Sequence, residues 1–211
     1  EKIKYSIEND LIKPNYIIID PNLILSTPKM IAAASGMDAI AQALESLLSK
    51  KSTSKSVEFS RNSLEFSLNF FENHINNKNF ETAYKMSLAA LNAGKAINIS
   101  KTTAPHALSY PITSYFGIKH GHAVSLTLSD FLNYNFKNLG YAKTNFDLKE
   151  RYKIIFKIFK VNSINELENK IKKIASNVGL TLKLSELNIL KKSDLSLILK
   201  NVNAQRLANN P

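Results

Sequence analysis

Cysteine is absent from this sequence, and its absence excludes several kinds of site. Without it the chain cannot form disulfide bonds, thiolate metal sites or a catalytic cysteine nucleophile. A reducing compartment fits this composition, so we expect a cytoplasmic protein. Glycine and proline are also scarce, with six of each among 211 residues, and the glycines form no phosphate-binding loop.

Long hydrophobic runs are missing as well. No apolar stretch approaches the roughly 20 residues that span a bilayer, so we expect no membrane association. Glu1 opens a polar segment that lacks the apolar core of a signal peptide. The chain does not begin with methionine, and residues 207–211 read as the middle of a structure. We therefore expect a fragment of a longer protein.

Negative charge is in short supply, since 17 acidic residues stand against 28 lysines and arginines, for a net charge of +11. A basic chain of this kind is typical of some nucleic-acid-binding proteins. The lysines are scattered, however, and are not interleaved with aromatic residues, so we predict no nucleic-acid partner. A modest basic field also favours anionic small ligands. Because 44% of the residues are hydrophobic, the chain can build a sizeable core.

The first 25 residues have the composition of β-strands rather than helices. Residues 15–21 form a short β-branched run bounded by Pro14 and Pro21, which predicts a fully buried strand. Residues 2–7 form a second candidate strand. Because two isolated strands are only marginally stable, we expect both to belong to a sheet whose other strands lie outside this chain.

From Ser26 onward the apolar residues recur with helical spacing. A helix is predicted to start here, with Ser26 or Thr27 as its cap and Pro28 in its first turn, and Gly36 is expected to end or interrupt it. Further helices are predicted over residues 37–49, 57–75, 82–99, 106–116, 121–135, 148–159, 164–178 and 194–202.

The helix predicted over residues 82–99 is rich in small residues, among them Gly94, and is expected to be buried on most sides. Gly179 is expected to end the helix before it in the left-handed conformation. The predicted fold is therefore mainly α, a helical bundle over residues 26–211 with a short β fragment at its N-terminus.

Two pairs of residues are candidates for chemistry. Asp38 and Gln42 are spaced i, i+4, so both side chains lie on one face of a helix. His106 follows a helix start, and His120 lies in a turn before the next helix. Each residue alone also fits a structural role, since an aspartate near a helix start is favoured by the helix dipole.

Taken as a set, these four residues offer one carboxylate, one amide oxygen and two imidazoles. Such donors suit a divalent metal site with positions left open for a substrate. We expect three helix starts to bring Asp38, His106 and His120 to one cleft. His122 would face away from His120 on a helix, and His74 is interpreted as a surface or helix-dipole residue without a role.

These residues resemble the iron-containing (group III) alcohol dehydrogenase family, which is related to glycerol dehydrogenase and dehydroquinate synthase. The matching stretches are residues 15–21, 26–28, 36–46, 90–100, 106–124 and 203–211. The resemblance implies an N-terminal α/β domain that binds NAD(P) and a C-terminal helical domain that carries the metal. Residues 1–25 would then be remnant strands of the first domain and residues 26–211 the second, with the nucleotide-binding residues outside this chain.

The resemblance also implies roles for single residues. Asp38, His106 and His120 match three metal ligands of the family, and Gln42 stands where the fourth ligand is usually histidine. Because an amide oxygen is a harder and weaker donor than imidazole, we expect lower affinity for Zn²⁺, with Fe²⁺ or Mg²⁺ tolerated. Tyr110 occupies a position where the family often has a histidine near the substrate, and His122 or Tyr110 is expected to help deliver a proton.

The implied activity is NAD(P)-dependent, metal-assisted alcohol oxidation or aldehyde reduction, with Fe²⁺, Zn²⁺ or another divalent metal as cofactor. Gln42 together with residues 103–111 and 120–124 is most similar to the subgroup that reduces phosphonoacetaldehyde. Lys119, Lys101 or the helix starts near His106 would suit its anionic phosphonate.

Two alternatives to this activity remain open, a metal-dependent lyase of the dehydroquinate synthase type and a non-enzymatic basic helical binding domain. A homodimer is one option for the assembly.

Overall fold

The computed structural model describes residues 9–211, and within this range every regular element is helical. The α-helices are α1 (Asn22–Leu25), α2 (Lys29–Leu48), α3 (Ser54–Asn76), α4 (Phe80–Ser100), α5 (Ala104–Phe116), α6 (His120–Lys137), α7 (Leu148–Phe159), α8 (Ile164–Asn177), α9 (Lys192–Lys200) and α10 (Ala204–Leu207). Short 3₁₀ turns lie at Asp10–Ile12, Leu139–Tyr141 and Leu184–Leu187. None of the described helices has both the length and the hydrophobicity needed to cross a membrane. The prediction of a mainly α fold is confirmed.

The predicted β fragment does not form within the described residues. Residues 15–20 are irregular, and Tyr16 and Ile18 are 90% and 92% exposed rather than buried. A strand needs a neighbouring strand to satisfy its backbone, and residues 9–211 supply none. The second candidate strand, residues 2–7, lies outside the described residues.

Helix α2 is the central element of the bundle, because it packs against α3, α4, α6 and α7. Its apolar residues are almost completely buried, including Met37, Ile40, Leu44 and Leu47. Burial on nearly all sides makes α2 a rigid platform for any polar side chain that it carries.

The predicted interruption of α2 at Gly36 is wrong, because the helix runs unbroken through this glycine. A Cβ atom at Gly36 would lie 2.0 Å from Cε2 of Phe71, so the glycine lets α2 and α3 approach closely. The predicted cap is also wrong, since Pro28 itself is the N-cap and no side-chain hydrogen bond caps the helix. Asp38 therefore lies in the middle of α2 rather than near a helix start.

Helices α3 and α4 form an antiparallel pair whose N-termini are both closed by capping boxes. Thr53 and Ser56 cap α3, and Asn79 and Thr82 cap α4. His74, in the last turn of α3, is buried, and its Nδ1 lies 3.1 Å from the hydroxyl of Thr82. The interpretation of His74 as a surface residue is therefore wrong, because it joins the two helices.

Helix α4 buries one face only, which corrects the expectation of burial on most sides. Ala83, Ala89 and Ala93 lie in the core, whereas Gly94 is exposed, and a Cβ atom at that position would meet no other atom within 4 Å. The alanines allow α4 to lie close to α2 and α3, but Gly94 has no part in that approach.

The remaining helices complete the bundle around this core. Helix α8 packs against α6 and α7, while α5 packs against α6, α9 and α10. Gly179, just after α8, has a φ of +84°, which confirms its predicted left-handed conformation. The last segment, with α10, lies across the start of α5.

Candidate functional site

Three of the predicted ligands come together at the junction of three helices. Asp38 projects from the middle of α2, His106 from the first turn of α5 and His120 from the first residue of α6. One potential ligand atom from each side chain lies within 4.8 Å of the other two. Oδ1 of Asp38 is 3.3 Å from Nε2 of His106 and 3.9 Å from Nε2 of His120. We call these three residues the Asp–His–His cluster.

Gly121 explains how α6 comes so close to α2. A Cβ atom at this position would lie 2.0 Å from the carbonyl oxygen of Ala34 and 2.7 Å from Cβ of Asp38. Only glycine fits this contact, which places His120 directly beside Asp38. The glycine thus serves the packing of α6 on α2.

Gln42 lies one helical turn after Asp38, as its spacing predicts. Its Nε2 donates a hydrogen bond of 2.8 Å to Oδ2 of Asp38, while its Oε1 accepts none from the residues between 9 and 211. The amide nitrogen therefore steadies the aspartate, and the amide oxygen is the atom that Gln42 can offer to a cation.

Glu45, which the sequence pattern did not single out, contacts His106 of the cluster. It is 2% exposed, and its Oε1 accepts a hydrogen bond of 2.5 Å from Nδ1 of His106. Its Oε2 accepts two more, from the backbone N–H of Thr103 at 2.7 Å and from the Thr103 hydroxyl at 3.0 Å. An acidic residue inside the apolar run of α2 was the available signal, because such a group is seldom buried without a partner.

The bond to Glu45 determines which nitrogen of His106 faces the cluster. With Nδ1 committed to the carboxylate, Nε2 is turned toward Asp38. This Nε2 is buried and makes no hydrogen bond within the described part of the chain. A histidine oriented by a carboxylate in this way is the usual arrangement of an imidazole metal ligand. The donor set and its geometry therefore fit a divalent cation.

The two carboxylates also control the charge of His106. Burial by itself lowers the pKa of His106, but Glu45 and Asp38 more than offset this effect and raise it to about 9. At neutral pH such an imidazole carries protons on both nitrogens. A divalent cation bound by the cluster would take the place of the proton on Nε2.

The cluster is open to solvent on one side. The side chains of His120 and Asp38 are 30% and 21% exposed, whereas that of His106 is only 4% exposed. A substrate can therefore approach along His120, while the buried His106 forms the floor of the site.

The two predicted catalytic residues are placed differently. The ring of Tyr110 contacts the ring of His120 edge-on, with centroids 6.0 Å apart. His122 instead lies with its Nε2 2.6 Å from the carbonyl oxygen of Thr181, in the loop after α8. The structure thus brings Tyr110 to the Asp–His–His cluster and ties His122 to that loop.

Arg206, a second residue missed from the sequence, reaches this site from the end of the chain. Its Nε donates a hydrogen bond of 2.9 Å to the hydroxyl of Tyr110, and its Nη1 donates to the hydroxyl of Thr102. The two lysines predicted to bind an anion have other surroundings. Lys119 is exposed, and Nζ of Lys101 donates a hydrogen bond to the carbonyl oxygen of Asn98.

Several known proteins are similar to this chain. A stretch of 47 residues is 47% identical to phosphonoacetaldehyde reductase of Streptomyces viridochromogenes, and it covers 22% of this chain and 12% of that relative. The chain is 28% identical to sulfoacetaldehyde reductase from Bifidobacterium kashiwanohense, solved in complex with NAD⁺. That match covers 91% of this chain and 49% of the other, with a TM-score of 0.77.

An iron-containing alcohol dehydrogenase from Thermococcus thioreducens shares the fold, with a TM-score of 0.82 at 21% identity over 97% of this chain and 50% of that chain. The chain thus spans about half the length of the solved structures that it matches. Residues 32–211 match the family described as Fe-containing alcohol dehydrogenase, C-terminal. This range contains the helical core and the whole Asp–His–His cluster. The match shows that the chain belongs to the iron-containing alcohol dehydrogenase family and corresponds to its C-terminal part.

Proposed function

We propose that this chain is the metal- and substrate-binding part of an NAD(P)-dependent reductase that converts a short aldehyde into its alcohol. The observation that carries this proposal is the meeting of Asp38, His106 and His120 at one solvent-accessible point. Family membership supports it, as does the NAD⁺ bound to the related sulfoacetaldehyde reductase. The nucleotide would be held largely by residues outside this chain.

The chain's own residues would hold and orient the metal. Asp38, His106 and His120 supply three ligand atoms, and Gln42 is the candidate for a fourth through Oε1. Glu45 keeps Nε2 of His106 directed at the site. Fe²⁺ is the expected metal, since carboxylate and amide oxygens weaken the preference for Zn²⁺.

In the proposed reduction, a hydride from NAD(P)H adds to the carbonyl carbon and a proton is added to the carbonyl oxygen. The bound metal would act as a Lewis acid that polarises the carbonyl. Tyr110 is the better candidate for the proton donor, because it lies against His120 while His122 is bound to Thr181. The Tyr110 oxygen accepts a hydrogen bond from Nε of Arg206, and a phenol is both a donor and an acceptor.

The proposed substrate is a two-carbon aldehyde with an anionic group, of which phosphonoacetaldehyde is the first candidate. Two relatives support this class, because one is a phosphonoacetaldehyde reductase and another a sulfoacetaldehyde reductase. The basic charge of the chain also suits an anionic ligand.

The test uses the full-length protein. Its metal is removed with a chelator, and Fe²⁺, Zn²⁺ or Mg²⁺ is then added back. We expect oxidation of NADH or NADPH when phosphonoacetaldehyde is added, with hydroxyethylphosphonate as product. Absence of turnover with every metal and a panel of aldehydes would refute the proposal. A product formed by elimination, without net oxidation of the nucleotide, would instead favour the lyase alternative.

His106→Ala and His120→Ala test the metal centre directly. Each should weaken metal binding by about 100-fold or more, since one of few ligands is lost, while helix content by circular dichroism stays unchanged. His74→Gln is the matched control, because His74 is also buried but lies outside the cluster. Equal losses in the control and the ligand variants would contradict the assignment.

A further inference from the structure

The guanidinium of Arg206 is held against Tyr110 at the edge of the Asp–His–His cluster. Its Cζ lies 5.3 Å from the centroid of the Tyr110 ring, and its Nε is bonded to the hydroxyl of the same side chain. The ring of Tyr110 in turn contacts His120. Arg206 and His120 of the Asp–His–His cluster therefore contact the same aromatic residue.

We propose that Arg206 binds the anionic group of the substrate, a phosphonate or sulfonate carried on the carbon next to the aldehyde. This inference rests on the proposed function and deepens it, because it names the residue that selects the substrate class. A short molecule could then place its carbonyl oxygen at the cluster and its anionic group at the guanidinium.

The charge of Arg206 has no carboxylate partner among residues 9–211. Its two side-chain hydrogen bonds go to the neutral hydroxyls of Tyr110 and Thr102, and its Nη2 donates to no described residue. A guanidinium presents a planar set of N–H donors that matches the oxygens of phosphonate or sulfonate. An anion bound here would neutralise a charge for which residues 9–211 supply no carboxylate.

Lys101 supports the same interpretation of this region. Burial, followed by the positive charge of Arg206, lowers the pKa of Lys101, so the two cationic groups feel each other. An anion placed beside Arg206 would relieve this repulsion. Two positive charges, those of Arg206 and Lys101, thus lie close to each other in this region.

The segment that carries Arg206 is held in place by several hydrogen bonds. Asn203 accepts from the backbone N–H of Arg206 at 3.0 Å and donates its own N–H to the carbonyl of Ala107 at 3.3 Å. Asn209, which is buried, donates to the carbonyl of Thr102 at 3.1 Å. Because the guanidinium is positioned before a ligand arrives, less entropy is lost on binding.

The experiment compares an anionic and a neutral aldehyde in the wild-type protein and in the Arg206→Gln variant. We expect the ratio of kcat/KM for phosphonoacetaldehyde to that for propanal to fall by about 10- to 100-fold, mainly through KM. The value for propanal should fall by a smaller factor, since propanal carries no anionic group and loses only the support that Arg206 gives to Tyr110. Arg206→Lys, which keeps the charge but not the planar fork, should show an intermediate loss.

Arg151→Gln is the matched control, because Arg151 also lies over an aromatic ring, that of Phe146 at 4.5 Å, away from the cluster. It should leave the ratio unchanged. Equal losses for both aldehydes in Arg206→Gln and Arg206→Lys would mean a structural role and would overturn the inference. Melting temperatures show whether Arg206→Gln folds. If it does not, the ratio of the two kcat/KM values in Arg206→Lys tests the inference instead.

Direct binding separates this inference from the proposed function. Titration of hydroxyethylphosphonate into the metal-loaded protein should show binding that weakens by about 10- to 100-fold in Arg206→Gln. If this loss is found without any turnover, the anion site stands and the reductase activity fails. If the wild-type protein reduces propanal but neither binds nor reduces the anionic compounds, the anion site fails and the reductase activity stands.

Discussion

At the scale of single residues, the character of the site depends on how His106 is held between two carboxylates. Glu45 accepts from Nδ1 at 2.5 Å, and Asp38 lies 3.3 Å from Nε2. Glu45 thus orients the ring, and Asp38 lies at the site toward which Nε2 of the ring points. Glu45 is itself restrained by both bonds from Thr103, so the orientation of His106 depends on residues that touch no ligand.

Glu45→Gln tests this orienting role. The amide keeps the size of the side chain but removes its charge, so His106 becomes a weaker and less well oriented ligand. Affinity for Fe²⁺ or Zn²⁺, measured by titration, should fall about 10- to 100-fold with helix content unchanged. Glu168→Gln is the control, since Glu168 is a partly exposed acid bonded to Asn133 and Lys172. A similar fall in the control would refute the role.

Gln42→His tests whether residue 42 faces the metal. Imidazole is a better donor than an amide oxygen for Zn²⁺, so Zn²⁺ affinity should rise by about tenfold or more. Competition against a coloured chelator measures the change, with Gln42→Ala as the variant that offers no donor. If histidine and alanine give the same affinity, residue 42 does not contact the ion.

At the scale of elements, two glycines determine how closely helices approach the platform of α2. Gly36 admits Phe71 of α3, and Gly121 admits the backbone of α2 at Ala34. The prediction that Gly36 breaks its helix was wrong because a glycine in a buried helix can serve packing rather than termination. This error also misplaced Asp38, which lies in the middle of a rigid helix.

Gly36→Ala and Gly94→Ala compare a glycine that serves helix packing with one that does not. The new methyl group at position 36 would overlap Phe71, so the free energy of unfolding should fall by about 1–3 kcal/mol. Gly94 is exposed within α4 with nothing nearby, so alanine there should raise it by about 0.5–1 kcal/mol. Urea unfolding measures both values, and effects of equal sign would contradict the packing argument.

At the scale of the whole molecule, the bundle is a basic helical domain that buries several polar groups, His74 among them. Burial, assisted by the positive charge of Lys78, lowers the pKa of His74 below its usual 6.5. The folded protein therefore keeps His74 neutral under conditions in which the unfolded chain protonates it. A cytoplasmic location and a homodimer stay predictions at this scale.

His74→Gln should reduce the sensitivity of the whole bundle to acid. Below about pH 6.5 the unfolded state binds a proton at His74 that the folded state does not, so the free energy of unfolding falls as the pH falls. The fall is at most about 1.4 kcal/mol per pH unit, and it ends at the pKa of His74 in the folded state. Above that range His74 has no pH effect. Urea unfolding at pH 5 to 8 should therefore show a smaller acid loss in the variant, and parallel curves would contradict this.

Much of this protein could be predicted from the sequence by itself. The helices from α3 to α9 lie within three residues of their predicted bounds, because the spacing of apolar residues along a helix is a local property. The donor types of Asp38, His106 and His120 also predicted a shared site, and the structure brings them together.

Which other residues join this site depends on how the helices pack. Glu45 and His106 are 61 positions apart, and Tyr110 and Arg206 are 96 apart, so no local pattern links them. Their meeting depends on the close approach of α6 to α2 at Gly121 and on the last segment lying across α5. Local periodicity determines where a helix forms, but the packing of one helix on another determines which side chains meet.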